Sequence, residues 1–522
     1  MKNRRTYLWL GAVVAILLFL STSLFVNARS STLTYVLYGD AVNMDPLEAT
    51  DINSWNVMSQ IYEGLMKFRP SSLEVEPCLA SHYEVSDNGL VFTFYLQKNV
   101  QFQDGTPFDA DAVIWNTRRG KEKAGTSYYA DLVWGNVKDV EKLGSYVVRF
   151  TLKEPRTDFL TNLALPFGGS MASPSAADLK NNPIGTGPYK MTNWVRNKEI
   201  TLEYNSNWWQ SKLTDGVGFK SVRYLVVDDA EEAVNLLRQG KAHILSYVPP
   251  ELVESLNAEA NVRLVETQLL TTSFLGFNTK SAVLADAKVR QSLVLLLDQD
   301  YLIKQVYKGF ALRSQGPLPP ALEKEIGCRY LSPNYEVGAR LLREAGYSKE
   351  NPLSLTLEVP LEPRDYMPSG GVKLGEGLKE VYERTGLVKV TFVYKPFESL
   401  LNDLMEGKAT EAFVLGWSSD NGQADNMLTP LFHSKSPLNF FKYENSSVDE
   451  YLAAAQTELD ENKRAELYRE ICDMMLKDAP AAFLPTPTSY RALDERLKGY
   501  NINPINIEQL YDLRWESPPF QG

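Results

Sequence analysis

The sequence predicts an α/β protein that is built from more than one lobe. Segments with the two-residue period of strands alternate with segments of helical period; residues 221–248 predict a strand, a helix with an acidic start and a second strand. The chain has 522 residues, more than one hydrophobic core usually organises. With 44% hydrophobic and 23% charged residues, its composition is that of a globular protein, not of a disordered chain or a coiled coil.

The first 28 residues have a different character. Three basic residues precede an apolar run over 8–20, and small residues follow at Val26 and Ala28. This order predicts a secretory signal peptide that is cleaved after Ala28, and hence a periplasmic protein. The apolar character can be extended to Val26, so an uncleaved membrane tether is the alternative. No cysteine lies near the cut, so a lipid-modified N-terminus is not expected.

Charge and residue counts exclude several classes of function. Removing the three basic residues of the leader takes the formal net charge from −11 to −14, which argues against nucleic acid or anionic lipid as a partner. Cys78, Cys328 and Cys472 allow one disulfide, whose pairing the sequence leaves open. Three scattered histidines give no metal-ligand spacing, so neither a metal site nor a cofactor is expected.

The predicted elements follow one another along the mature chain. Residues 83–99 predict a hairpin, because alternating apolar runs flank the turn formed by Asp87, Asn88 and Gly89. Asp109 is a natural N-cap for the helix that follows. The other elements are a strand over 33–38, a helix over 53–66, a strand pair over 142–155, a Gly- and Pro-rich loop over 182–191, a strand from 200, strands over 353–360, 389–394 and 411–417, and helices near 372–385 and 397–406. This alternation predicts lobes with largely parallel sheets.

Five segments together resemble the family 5 extracellular solute-binding proteins, which serve ABC importers of peptides, nickel and related ligands. They are YEVSDNGLVFTFYLQKNVQFQDGTPFDADAVIW, NPIGTGPYKM, LGFNTKSAVLADAKVRQSLVLLLDQDYLIKQVYKG, AGYSKENPLSLTLEV and LGWSSDNGQADNMLTPLFHS. The likeness covers nearly all of the mature chain.

The resemblance implies a two-lobed periplasmic-binding-protein clamshell, class II-like, with an additional domain. The implied division is a signal peptide at 1–28, a discontinuous lobe I from 32–63, 187–274 and 486–522, an additional domain II at 64–186 and a lobe III at 275–485. The loop GTGPYK would cross between lobes, and a ligand would lie in the cleft that the hinge closes.

The resemblance is strongest to the dipeptide-binding members of this family. It implies a monomer that is not an enzyme, captures dipeptides or short peptides and delivers them to an ABC permease in the inner membrane. The same family also allows longer peptides, or a metal-chelate or haem ligand. A periplasmic peptidase or amidase is less well supported, because the sequence pairs none of its histidines with a nucleophile.

Two segments carry the candidate binding residues. The run VPLEPRDYMPSG resembles the Arg-x-Tyr segment of dipeptide binders, which assigns the ligand carboxylate to Arg364. Tyr366 in this segment would either lie over the ligand backbone or cover the rim of the cleft. The run GWSSDNGQADN resembles the loop that holds the ligand ammonium, here through Asp420. The candidates that flank Asp420 in the pocket are Trp417, Ser418 and Ser419, with core packing as the alternative for Trp417.

The chemistry of a dipeptide explains why these residue types are expected. A zwitterion that is enclosed by protein loses the water around both charges, so each charge needs a partner. A guanidinium grips a carboxylate with two parallel hydrogen bonds, and an aspartate accepts ammonium protons. One position departs from the family pattern: Phe397 stands near the place where dipeptide binders commonly have a tryptophan.

Overall fold

The computed structural model describes residues 31–211, 217–329, 331–408 and 411–516. The predicted signal peptide lies outside these residues. Within them, no helix has the length and apolar character needed to cross a bilayer.

Strands and helices alternate along the described chain, as the periodicity predicts. The strands are β1 (Thr32–Leu37), β2 (Met66–Phe68), β3 (Val75–Pro77), β4 (Ala80–Val85), β5 (Val91–Leu96), β6 (Val137–Gly144), β7 (Val147–Leu152), β8 (Tyr189–Val195), β9 (Glu199–Tyr204), β10 (Ser221–Val226), β11 (Ile244–Leu245), β12 (Val262–Thr267), β13 (Thr271–Phe277), β14 (Ala311–Leu312), β15 (Leu353–Pro360), β16 (Val388–Lys395), β17 (Ala412–Ser418), β18 (Ala481–Leu484), β19 (Thr486–Pro487), β20 (Ser489–Asp494), β21 (Leu497–Lys498) and β22 (Arg514–Trp515). The helices are α1 (Ile52–Ile61), α2 (Ala110–Lys123), α3 (Tyr128–Trp134), α4 (Phe159–Asn162), α5 (Ala230–Arg238), α6 (Pro250–Asn257), α7 (Ala287–Leu296), α8 (Gln299–Gln305), α9 (Pro320–Ile326), α10 (Tyr335–Glu344), α11 (Gly371–Glu383), α12 (Phe397–Met405), α13 (Ala424–Phe432), α14 (Ser446–Thr457) and α15 (Glu461–Asp478), with a short 3₁₀ turn at Leu510–Asp512.

The large sheet has seven strands in the order β12-β20-β11-β1-β10-β9-β8. Strand β1 lies between β10 and β11 and is parallel to both, so the predicted strand–helix–strand unit of β10, α5 and β11 is present with β1 inserted into it. The remaining pairs are antiparallel. The expectation of largely parallel sheets is therefore wrong here, because the β8–β9 hairpin and the returning strand β20 supply antiparallel neighbours.

The small sheet has five strands in the order β16-β15-β17-β13-β18. Strand β15 is parallel to β16 and to β17, so the carboxyl ends of all three strands lie at the same edge. Strand β13 runs antiparallel to β17 and begins at this edge, where Thr271 pairs with Ser418. The segments that follow β15, β16 and β17, which contain Arg364, Phe397 and Asp420, consequently start side by side.

A third, antiparallel sheet has the order β4-β5-β7-β6 and packs on α2. Its first hairpin confirms the prediction for 83–99, and the turn needs Gly89 because φ is +66° there. Asp109 caps α2 as predicted, since its carboxylate accepts from the backbone N–H groups of Asp111 and Ala112.

Two close connections join distant parts of the chain. In the loop at 182–191, a Cβ added at Gly185 or Gly187 would come within 2.2 or 2.7 Å of the carbonyl oxygen of Ile61, so only glycine allows this close approach to the end of α1. Farther along the chain, a disulfide joins Cys328 after α9 to Cys472 in α15, and Cys78 is a buried free thiol. The structure thus gives the pairing that the sequence leaves open.

Separate hydrophobic clusters underlie the sheets. One core fills the space beneath the antiparallel sheet, and a second lies between the small sheet and helices α7, α8, α10 and α11. A third cluster extends from the large sheet through α1 to α13, α14 and α15. The loops between these cores enclose the candidate site.

Candidate functional site

A cavity lies where loops of the three sheets meet. It encloses about 620 Å³ of space, including its open mouth. Its lining residues are Thr50, Asp51, Ile52, Trp55, Tyr129, Phe167, Leu269, Leu270, Thr271, Asp365, Ser418, Ser419, Asp420, Pro504, Ile505 and Asn506. They come from the start of α1, from α3 and the loop after α4, from the edge of the small sheet, and from the loop before the 3₁₀ turn.

One wall of the cavity is aromatic. The ring of Phe167 lies edge-on to Trp55, with centroids 4.7 Å apart, and edge-on to Tyr129 at 4.9 Å. Edge-to-face pairs hold large rings in fixed positions. This wall therefore offers a rigid apolar surface to a ligand.

Asp420 occupies the cavity end of the loop after β17. Its two carboxylate oxygens accept hydrogen bonds from the hydroxyl groups of Tyr129, at 2.9 Å, and Tyr128, at 3.0 Å. Its backbone N–H donates to Oδ1 of Asn426, at 2.8 Å. The carboxylate is therefore held from two sides, by the first turn of α3 and by α13.

The surroundings of Asp420 also set its protonation. Burial raises the pKa of the Asp420 carboxyl above its ordinary value, while hydrogen bonds from Tyr129, Tyr128 and Asn426 oppose the rise. The same contacts, together with burial, raise the pKa of both tyrosines well above the usual range. The tyrosine hydroxyls consequently remain neutral donors at neutral pH.

The residues before Asp420 divide into two groups. Ser418 and Ser419 line the cavity; Ser418 shares a hydrogen bond with Thr271, and the backbone N–H of Ser419 donates to the carbonyl of Leu270. Trp417 lies behind the loop, where its indole N–H donates to the backbone carbonyl of Asn426 at 2.8 Å. Trp417 thus positions the loop from the side away from the cavity.

Arg364 and Tyr366 lie in the loop after β15, outside the lining of the cavity. Arg364 is exposed, and its guanidinium lies 3.7 Å from the centroid of the Phe397 ring. Tyr366 is buried, with its ring against the α-carbon of Gly416. The structure therefore brings Arg364 to the same sheet edge as Asp420 but does not place its guanidinium in the cavity.

Asp365, between these two residues, lines the cavity and was not anticipated from the sequence. Asp365 is exposed to solvent at the cavity, and partial desolvation by the surrounding protein raises the pKa of the carboxyl. The nearby charges of Arg491 and Arg364 oppose the rise. The other residues that sequence reasoning missed are Asp51, Trp55, Tyr128 and Tyr129, which come from segments without a motif for ligand binding.

A buried ion pair supports the loop that closes the cavity. Nε of Arg491 on β20 lies 2.7 Å from Glu508, and both side chains are almost fully buried. The same guanidinium donates to Oδ1 of Asn506, at 2.9 Å, and Tyr35 donates to Glu508, at 2.9 Å. Because Asn506 is a lining residue with a φ of +63°, this network fixes a strained turn at the cavity.

Further contacts tie the antiparallel sheet to the loop and helix after β17. The amide of Asn421 donates to Asn162 at 2.8 Å, and both side chains are buried. Arg156 lies 3.6 Å from Asp425. These contacts join the two sides of the cleft around Asp420.

No group of three or more His, Cys, Asp and Glu side chains in the described ranges is arranged to hold a metal ion.

Comparison with known proteins shows which proteins this chain resembles. The chain is 26% identical to the dipeptide-binding protein of Escherichia coli strain K12, over 513 residues that cover 92% of this chain and 94% of the relative. It is also 26% identical to heme-binding protein A of Haemophilus influenzae, covering 93% and 92% of the two chains. Two relatives that are named for different ligands are thus equally similar to this chain in sequence.

A solved structure shows the same fold. The ABC transporter-associated periplasmic binding protein DppA from Helicobacter pylori, in complex with the peptide STSA, superposes with a TM-score of 0.78 at 25% identity, covering 93% of this chain and 98% of that one. The α/β architecture is therefore that of a two-lobed periplasmic binding protein. The family model for the middle region of bacterial extracellular solute-binding proteins, family 5, matches residues 74–439, and the chain belongs to this family.

Proposed function

We propose that this protein binds dipeptides or short peptides in the periplasm and delivers them to an ABC permease in the inner membrane. The observation that carries the proposal is the Asp420 carboxylate, which lies at a cavity between the sheets and is held by two tyrosine hydroxyls and α13. Relatives named for binding dipeptides and a structure named for its bound peptide support it.

Asp420 is assigned to the terminal ammonium of the peptide. An ammonium has three donors and no acceptor, so it needs several oxygen atoms around it. Ser418 and Ser419 add polar groups to the lining of the cavity, and the aromatic wall forms its apolar side. An ammonium that replaces bulk water here gains a charge-assisted hydrogen bond in a region of low dielectric.

Arg364 is assigned to the terminal carboxylate. Its loop starts at the sheet edge next to the Asp420 loop, and its neighbour Asp365 lines the cavity. To reach a ligand, the guanidinium must leave the Phe397 ring, which costs only about 0.5–1 kcal/mol at an exposed site. A bidentate pair with a carboxylate offsets that cost.

The same geometry supports a role in binding without turnover. We assign no catalytic residue to the chain and propose that it acts as a monomer. Its N-terminal segment directs export, or tethers the protein to the membrane if the segment is not cleaved. Trp417 and Tyr366 are assigned as supports of the pocket, since both lie behind its lining.

A second candidate is a longer peptide or a haem-type ligand in the same cleft. The position of Arg364 outside the cavity lining favours it, because a longer ligand needs no carboxylate clamp at dipeptide distance. The similarity to a relative named for haem binding also supports it.

Calorimetry on the mature protein tests both candidates. We expect Ala-Ala to bind with a Kd near the micromolar range, about −8 kcal/mol, and more tightly than Ala-Ala-Ala-Ala or haemin. Tighter binding of the tetrapeptide or of haemin would select the second candidate. Cleavage of the peptide during a long incubation would contradict a pure binding role.

A further inference from the structure

The charges that line the cavity are all of one sign. Three carboxylates face it, those of Asp51, Asp365 and Asp420, and the described lining contains no lysine, arginine or histidine. A neutral dipeptide brings one positive and one negative charge to this surface. Its negative end would meet like charges unless it stays at the rim, beside Arg364.

The three carboxylates differ in how far they are already satisfied. Asp51 caps α1, and its two oxygens accept from the backbone N–H of Ser54, at 2.8 Å, and from its hydroxyl, at 2.6 Å. Asp420 accepts from two tyrosine hydroxyls. Asp365 is exposed at the cavity and makes no side-chain hydrogen bond or ion pair within the described ranges, so its carboxylate is free to pair with a ligand.

The nearest cations lie outside the lining of the cavity. Arg491 is bonded to Glu508 and Asn506, and Arg364 lies on the ring of Phe397. Within the described residues, the acidic side chains do not form a metal site.

We infer that the cavity selects peptides with a basic side chain, with Asp365 facing the side-chain cation and Asp420 facing the terminal ammonium. The inference rests on the proposed function and narrows it to cationic peptides. A ligand of this kind places one positive charge on each of two separate carboxylates, while Arg364 remains available for the ligand carboxylate at the rim. Asp365 is thus a specificity-determining residue of the pocket.

Calorimetry with four dipeptides tests the inference: Ala-Lys, Lys-Ala, Ala-Ala and Ala-Glu. We expect the better of the two basic dipeptides to bind at least about tenfold more tightly than Ala-Ala, and Ala-Glu to bind most weakly. In Asp365→Asn, which keeps the size of the side chain, the ratio of the Ala-Ala Kd to the basic-dipeptide Kd should fall towards one.

Glu376→Gln is the matched control, because it removes one exposed negative charge on α11 of the same lobe. The ratio should be retained in this variant; an equal fall in both variants would mean that long-range charge, not Asp365, sets the preference. If the dipeptides bind without a preference for the basic ones, or if the preference survives in Asp365→Asn, the inference is overturned and the proposed function stands. If none of the four dipeptides binds the unmodified protein, the proposed function fails first.

Discussion

Asp420 and Arg364 lie on neighbouring loops at one edge of the small sheet, yet their surroundings differ sharply. The Asp420 carboxylate is held by hydroxyls of Tyr128 and Tyr129 from across the cleft, and its backbone is held by Asn426. Arg364 is exposed, and its guanidinium rests on Phe397. The proposed anchor for a ligand's ammonium is thus built in advance, whereas the proposed anchor for its carboxylate has to move.

This difference predicts unequal energetic roles. A preorganised group loses little conformational entropy when the ligand arrives, while a mobile arginine loses rotamer freedom and its contact with the ring. Affinity should therefore depend more on Asp420 than on Arg364.

Asp420→Asn should have the largest effect. It removes the negative charge that faces the ammonium but keeps the shape of the side chain, so we expect dipeptide affinity to fall by roughly 2–5 kcal/mol. Calorimetry with the best-binding dipeptide measures the loss, and Glu376→Gln serves as the control for net charge. A change of less than tenfold in Kd would show that the ammonium binds elsewhere.

Arg364→Ala should have a smaller effect, on the order of 1.5–3 kcal/mol, because it removes a hydrogen bond between charged groups at an accessible site. Phe397→Leu sharpens this test. It frees the guanidinium from the ring, so affinity should rise by about 0.5–1 kcal/mol if Arg364 binds the ligand. If Arg364→Ala lost more dipeptide affinity than Asp420→Asn, the order proposed for the two anchors would be reversed.

The smallest expected effect concerns pH. Burial raises the pKa of Asp420, so its carboxylate becomes protonated at a higher pH than that of an ordinary aspartate. As the pH falls below this pKa, binding of the ammonium has to release the proton, and the affinity should fall by about tenfold per pH unit. In Tyr129→Phe the carboxylate loses a donor that favours its charged form, so this weakening should begin at a still higher pH. Calorimetry across pH values measures both onsets, with Tyr83→Phe on β4 as the control. Identical profiles in all three proteins would separate Asp420 from the binding step.

Local features of the fold were readable from the sequence. The hairpin at Gly89, the cap at Asp109 and the strand–helix alternation depend on residues within a few positions of one another. The mixed sheets were not readable, because the pairing of β20 with β11 and β12 joins distant parts of the chain. The pairing of Cys328 with Cys472 bridges 144 positions in the same way.

The same distinction between local and distant contacts applies to the candidate site. The motif around Asp420 placed Ser418, Ser419 and Asp420 in one loop, and all three line the cavity. Tyr129 is 291 positions away from Asp420, and no local pattern connects them. The choice between Arg364 and Asp365 as the residue that faces the cavity depends on the path of an irregular loop, which periodicity does not determine.

The structure of the protein with a bound dipeptide shows directly whether Asp420 binds the terminal ammonium. We expect the peptide to lie in the cavity with its terminal nitrogen within about 3.2 Å of the Asp420 carboxylate. A peptide bound with that nitrogen away from Asp420, or outside the space between the aromatic wall and the small sheet, would contradict it.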